Sequence, residues 1–324
     1  MEATATIIPI AAGKGGVGKS LLTANLAVAL AQTGHRTIAV DMDLGGSNLH
    51  SFLELPNRNP GIGDYLQARS GTLESLLVTT GIDNLTFLPG DGKTPFMANI
   101  PHAQKVKLLS HIKKLPAEYI LLDLGAGSSF NTLDFFSISE KGIVITTPEP
   151  PAIMNMLVFL KNYLLRNISK SISRDQTLRN FLRELCKRPM EGQITSIRSL
   201  RDEIVSEDPE AAEKITAACN KCRPRVIFNL GEHPDDLKVT DQISKSLDTV
   251  LSLSVDYFGF IFFDPAVRRS VLEQKTLVID RPDCDASESI YRIARRIVKY
   301  WNAPVEGSAV RLEKSVRDAF TARL

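Results

Sequence analysis

The chain has 324 residues, a formal net charge of +2, 43% hydrophobic residues and 23% charged residues. That length can bury a real core as one large α/β domain or two modest ones, and the near-neutral charge gives no electrostatic footprint for nucleic acid. No run approaches the roughly 20 apolar residues of a membrane span, and four cysteines, Cys186, Cys219, Cys222 and Cys284, are too few for a disulfide framework, which fits a reducing cytoplasm.

The first apolar run, residues 4–12, has no basic stretch ahead of it and reads as a strand, not a signal peptide. It leads into residues 13–20, G-K-G-G-V-G-K-S, which match the Walker A pattern G-x-x-x-x-G-K-[ST] at every fixed position. A helical pattern over 21–33, stopped by Gly34, follows. In this strand–loop–helix setting the glycines let backbone N–H groups wrap phosphate oxygens, and the helix N-terminus adds its dipole. Lys19 is expected to reach the β- and γ-phosphates, and the Ser20 hydroxyl to complete a Mg²⁺ shell. Lys14 is not required by a plain Walker A, and Lys19 already fills the cationic role in its own loop. A lysine at this place is suited to reach the phosphates of a facing subunit, as an arginine finger does.

A second strand over 37–41 ends in D-M-D-L-G-G-S-N. Asp41 and Asp43, two residues apart at a strand end, share one face at the end where open α/β sheets bind ligands. Strands follow at Leu85–Leu88 and 119–123, with a helix over 102–114 between them. The stretch Y-I-L-L-D-L-G-A-G, 119–127, has the form of a Walker B: a buried strand delivers Asp123 towards a metal, and Gly127 lies in a turn free to move with the γ-phosphate. A strand at 142–146 and a helix at 152–165 continue the alternation, which signals a doubly wound, mostly parallel sheet with helices on both faces. Residues 166–223 carry charged helical patterns and no strand, and read as a helical insertion, either edge padding or a partner-binding element. Strands over 225–229 and 255–261 and helices over 236–247 and 287–300 complete residues 1–302 as one domain. A linker and a final helix occupy 303–324. Leu312, Val316, Phe320 and Leu324 form its apolar stripe, flanked by Arg311, Lys314, Arg317 and Arg323.

K-G-G-V-G-K-S resembles the deviant Walker A of the MinD/ParA family of P-loop ATPases. D-x-D-x-G-x-x-N over 41–48 resembles that family's switch I, and D-L-G-A-G over 123–127 its switch II in MinD and the flagellar relative FlhG. T-T-P-E-P over 146–150 and G-F-I-F-F-D-P-A-V-R-R over 259–269 add to the likeness, which covers residues 3–165 and 225–300. The resemblance implies ATP and Mg²⁺ as cofactors and slow ATP hydrolysis coupled to an ATP-dependent homodimer. It makes Lys14 the cross-subunit lysine and Asp43 the residue that orients the attacking water, so Lys14, Lys19 and Asp43 form the catalytic set. Ser20, Asp41 and Asp123 form the metal set, and Asn48 helps to hold the switch. The nucleotide is expected on Gly13, Lys14, Gly15, Gly16, Val17, Gly18, Lys19, Ser20 and Leu21. Asn229 would read the purine edge, with Asp264 and Pro265 beside the base. Leu21 departs from the family, which often has Thr there. Such proteins position or assemble a cellular structure. The implied partners are a regulatory or activating protein and, through the tail helix, the inner face of the cell membrane. A tail helix packed on its own core is the other reading of that stripe.

Other classes are set against this. The pair Cys219 and Cys222 forms a C-x-x-C of the kind that Mrp-type Fe–S carriers share across a dimer. ATP-using small-molecule ligases of related fold generally lack the early lysine, so Lys14 speaks against them. The residues after Asp123 supply no cysteine of the nitrogenase iron-protein type. The N-terminus lacks the D-Q-A-x-x-L-R element that FlhG uses on its GTPase partner, and the weak charge does not favour DNA-bound partitioning.

Overall fold

The computed structural model describes residues 5–67, 71–90, 100–171, 197, 205 and 208–323. Its centre is one eight-stranded sheet in the order β3-β4-β2-β5-β1-β6-β7-β8. The strands are β1 (Thr6–Ala12), β2 (Thr37–Met42), β3 (Val78–Thr79), β4 (Leu85–Leu88), β5 (Tyr119–Leu124), β6 (Ile143–Thr146), β7 (Arg225–Gly231) and β8 (Asp256–Phe262). Every pairing is parallel except that of β3 with β4 at one edge. Central strands such as β2, TIAVDM, are buried on both faces, which is why they read as continuous apolar runs and not as alternations. β1 lies between β5 and β6, so the strand order reverses there, and the crevice at its carboxyl end is the natural ligand site.

The helices are α1 (Lys19–Gln32), α2 (Leu49–Phe52), α3 (Ile62–Gln67), α4 (His102–Ile112), α5 (Phe130–Phe136), α6 (Pro150–Ser171), α7 (Pro209–Lys221), α8 (Val239–Ser246), α9 (Pro265–Glu273), α10 (Leu277–Asp280), α11 (Asp285–Tyr300) and α12 (Ser308–Thr321). One face of the sheet packs on α1, α10 and α11, with Leu22, Leu26, Leu30, Ile290 and Ile297 in that core. The other face packs on α4, α5, α6, α7 and α12. α1 is buried nearly all round, from Leu22 to Ala31, so its sequence carries no polar face and little amphipathic signal.

Most elements expected from the sequence are present, and the differences have local causes. The helix expected over 236–247 divides into a 3₁₀ turn (Pro234–Lys238), α8 and a π turn (Leu247–Leu251). The short elements β3, α2, α3, α5, α9 and α10 span too few residues to show a period. The expected insertion begins as a continuation of α6 to Ser171 and ends as α7, which packs on α6. Most of its interior and Cys186 lie outside the described residues.

The tail takes the packed alternative. Gly307, in the left-handed region at φ 60°, starts α12, and Leu312 and Val316 are buried against the same core as β8. Phe320 stacks on Phe262 with ring centroids 6.2 Å apart, and Arg317 pairs with Asp235 at 3.0 Å. The stripe expected at a membrane surface is thus covered by the chain's own sheet, and Leu324 lies outside the described residues. No helix among the described residues is long and apolar enough to cross a membrane.

Cys219 and Cys222 are both buried in the core. The Cys222 sulfur accepts a hydrogen bond from Asn167 at 3.3 Å, and burial pushes its thiol pKa up. Among the described residues no group of three or more His, Cys, Asp or Glu side chains is arranged to hold a metal.

Candidate functional site

The loop between β1 and α1 is built on backbone that side chains would obstruct. Gly16 and Gly18 have φ of 83° and 87°, a region that costs little only for glycine. Gly13 sits so close to the first turns of α6 that a Cβ there would lie 2.2 Å from the Asn155 carbonyl oxygen. Val17 is buried and anchors the loop, while Gly15 and Gly16 face solvent. Gly18 is the cap residue of α1 and offers no side-chain hydrogen bond. The free N–H groups of the first turn are therefore left to an anion.

Lys19 is directed inward. Its ammonium donates to Asp123 Oδ1 at 2.8 Å and lies 3.4 Å from Ser20 Oγ. Thr23, one turn along α1, donates to the same Asp123 oxygen at 3.0 Å. The other oxygen, Asp123 Oδ2, is buried with no hydrogen-bond partner. A buried carboxylate oxygen left unmatched is costly unless a cation or an ordered water meets it, so the donor set of Ser20, Asp41 and Asp123 fits a hard divalent cation that keeps most of its waters.

Asp41 and Asp123 are register partners on β2 and β5. Asp41 accepts hydrogen bonds from the N–H groups of Asp43 at 3.1 Å and Leu49 at 3.0 Å. Burial, reinforced by the like charge of Asp123, raises the Asp41 pKa to about 6 despite these bonds and one from Ser47. Asp43 stands further out and borders both the cleft and the adjoining hollow formed with Gly125, Ala126 and Asn131. A Cβ on Gly125 would lie 3.4 Å from Asp43 Oδ1, so the turn after β5 packs directly on this carboxylate. That turn is tied to β1 by the Gly127 N–H donating to the Ala12 carbonyl at 2.9 Å, and Ser129 caps α5 behind it.

The cleft above the loop has a volume of about 400 Å³. Lys14, Lys19, Ser20, Asp43, Asn48 and Asn229 supply its polar lining, and Leu21, Phe52, Leu230, Val267 and Val271 its apolar wall. Lys14 is half-buried there and has no ion-pair or hydrogen-bond partner among the described residues. Asn229, 6% exposed, donates through its amide to the Val17 carbonyl at 2.8 Å.

Asp264 and Pro265 are not among the lining residues. Asp264 is the cap of α9 and accepts from the Ala266 N–H at 2.8 Å, with Pro265 in the first helical position. The next turns of that helix, at Val267 and Val271, face the cleft instead. Thr23, Phe52, Val267 and Val271 did not follow from the sequence. Only Thr23 had a usable signal, four residues after Lys19 on the same helix face.

Residues 8–278 match the family described as the CobQ/CobB/MinD/ParA nucleotide binding domain. The septum site-determining protein MinD of Helicobacter pylori is 34% identical over 146 residues, 45% of this chain and 54% of that protein. The antiactivator FleN of Pseudomonas aeruginosa is 22% identical over 302 residues, 92% of this chain and 88% of that protein. The chain spans about half the length of the MinD relatives it matches. A MinD from Pyrococcus horikoshii, solved with Mg-ADP, superposes with a TM-score of 0.56 at 20% identity, covering 93% of this chain and 100% of that one. The likeness in fold joins a family match over most of the chain and a phosphate loop in its expected place. The chain belongs to the CobQ/CobB/MinD/ParA family of nucleotide-binding proteins, as a P-loop protein of the MinD/ParA kind.

Proposed function

We propose that this protein is an ATP-dependent dimerisation switch that hydrolyses ATP slowly and controls the positioning or assembly of a cellular structure. The observation that carries this reading is the contrast between its two loop lysines. Lys19 is buried and paired with Asp123, whereas Lys14 lines the cleft with no partner among the described residues. A cation set at the mouth of a phosphate site is available to a second molecule's phosphates, where it stabilises the charge of the transferring group.

In this scheme Ser20 and Asp123 would hold a Mg²⁺ ion, with Asp41 supporting it from behind, and the ion would supply neutralisation of phosphate charge. Lys19 leaves Asp123 for the phosphates, and Asp43 holds the proton-bearing side of the attacking water. The turn at Gly125–Gly127, packed on Asp43, reports the γ-phosphate to α5. The names of the related MinD and FleN proteins, a septum-site determinant and an antiactivator, support a regulatory output over the turnover of a second substrate. That output is a surface for a regulatory or activating protein in the cytoplasm, because the tail stripe is already covered by the sheet.

Phosphate release with Mg-ATP, measured over a range of protein concentrations, tests the reading. Activity per molecule should rise with concentration until the dimer saturates. A specific rate that is constant across the range would instead place all catalytic groups in one chain.

A further inference from the structure

The segment that follows Asp43 is fastened at both ends. At its start the Leu49 N–H, the first of α2, donates to Asp41 Oδ2 at 3.0 Å. At its end Glu54 reaches the turn between α9 and α10, 222 positions away in the chain. Its Oε1 accepts from the Thr276 N–H at 2.9 Å, and its Oε2 pairs with the Lys275 ammonium at 3.1 Å. The Thr276 hydroxyl donates in return to the Phe52 carbonyl at 3.0 Å. Two of the five non-glycine residues with positive φ among the described residues flank this contact, Glu54 at 57° and Gln274 at 53°. Such backbone costs little only for glycine, so a glutamate held there must be repaid by its side chain. The pair with Lys275 repays little, because both side chains are open to water. Thr276 is buried at 1% exposure, and its N–H holds the Glu54 carboxyl below the usual carboxylate range. The bond that matters is therefore the one to Thr276.

The residues on either side of this contact belong to the cleft. Phe52, two positions before Glu54, lines its apolar wall, and so do Val267 and Val271 of α9, the helix that ends at the turn. Phe52 and Val267 also pack on the same core. The wall is thus assembled from two distant segments, and Glu54 is where the chain ties one to the other. Glu54 itself is not among the lining residues. We infer that Glu54 is a positioning residue that clasps α2 to the end of α9 and so holds the apolar wall in place for the nucleoside half of the nucleotide. This rests on the reading of the cleft as a nucleotide site. Without the clasp Phe52 and α9 are held by separate parts of the molecule, and the ligand must bear the cost of bringing the wall together.

The test uses the full chain, isothermal titration with Mg-ATP and urea unfolding without nucleotide. Glu54→Gly should weaken Mg-ATP about tenfold, the worth of one hydrogen bond to a charged acceptor. Its urea midpoint should stay near wild type, because glycine relieves the left-handed backbone and water reaches the position of the 37%-exposed carboxylate. Glu54→Gln keeps an acceptor for Thr276 and loses only the exposed ion pair, so its affinity should stay within about twofold of wild type. Val271→Ala should also weaken Mg-ATP, and Glu54→Gly with Val271→Ala should lose less than the product of the two separate factors, since both act on one wall. If Glu54→Gly does not fold, Glu54→Asn, which tolerates the left-handed region and is one methylene shorter, carries the same expectations. Unchanged Mg-ATP affinity in a folded Glu54→Gly or Glu54→Asn, or a double variant whose loss equals the full product, would overturn the inference and leave the nucleotide site standing. A wild-type chain that binds no Mg-ATP would remove the nucleotide reading itself, and this inference with it.

Discussion

The Lys19 ammonium lies 2.8 Å from Oδ1 of Asp123, and both side chains are closed off from solvent at 8% and 0% exposure. The lysine of the phosphate loop is thus matched in charge before any nucleotide arrives, and the aspartate on β5 has one oxygen satisfied and one without a partner. Removing Lys19 strands a buried carboxylate, whereas removing Lys14 strands nothing. Lys19→Ala should therefore lower the stability of the nucleotide-free protein by about 3 kcal/mol, while Lys14→Ala should stay within about 0.5 kcal/mol of wild type. Urea unfolding without nucleotide measures both. Equal losses would show that Lys14 has a structural role.

Asp134 on α5 is held by three cations from two other helices. Lys105 lies 2.6 Å away, and Arg166 and Lys170 each 2.9 Å away. Burial alone would raise its pKa, but these partners outweigh burial and hold the carboxyl well below the usual carboxylate range. A depressed folded-state pKa gives stability that is present above the unfolded value of about 3.9 and lost as pH falls through the folded value. Wild-type urea midpoints should therefore drop progressively below about pH 4. Asp134→Asn should be less stable at pH 7 and show a shallower acid slope. Parallel pH profiles for the two proteins would contradict the assignment.

Two glycines of the loop should behave differently although they are two residues apart. A Cβ on Gly13 meets the Asn155 backbone at 2.2 Å, whereas a Cβ on Gly15 meets nothing within 4 Å. Gly13→Ala should destabilise the nucleotide-free protein by about 1–3 kcal/mol, the usual range for overpacking against an element that cannot move freely. Gly15→Ala should leave its melting temperature near wild type. Thermal unfolding of both variants without nucleotide decides the point.

The tail predicts a stability effect in place of a membrane effect. Leu312 is 2% exposed in the core beneath α12, so Leu312→Ala should cost about 2–5 kcal/mol. Wild-type protein should stay in the supernatant when vesicles of anionic phospholipid are sedimented with Mg-ATP. If Leu312→Ala unfolds normally and abolishes an ATP-dependent vesicle association, α12 is a membrane element.

The parts of the site legible in the sequence are those carried by a strand end and the few residues after it. Gly13 to Ser20, Asp41, Asp43 and Asp123 declare themselves because a phosphate loop and paired carboxylates at strand ends each need a fixed local spacing. Parallel strands buried on both faces gave continuous apolar runs, so the order of alternation was readable as well. Thr23, Phe52, Val267 and Val271 were not readable, because they reach the site from helix faces whose direction is set by packing between distant segments. Asp264 shows how one local pattern can serve two ends. An Asp-Pro before a helix caps that helix, and here the cap uses the carboxylate that was expected at the base. The apolar stripe of α12 has the spacing of an interfacial helix and of a core helix alike, and only its contact with the sheet distinguishes them.

In the proposed switch, ATP joins two copies of this chain through Lys14. Light-scattering mass in Mg-ATP and in Mg-ADP, on wild type, Asp43→Ala and Lys14→Ala, tests it most directly. Monomers are expected with Mg-ADP, and a dimer with Mg-ATP that persists in Asp43→Ala and is lost in Lys14→Ala. A monomer with bound Mg-ATP in the wild type, or a dimer indifferent to Lys14, would contradict it.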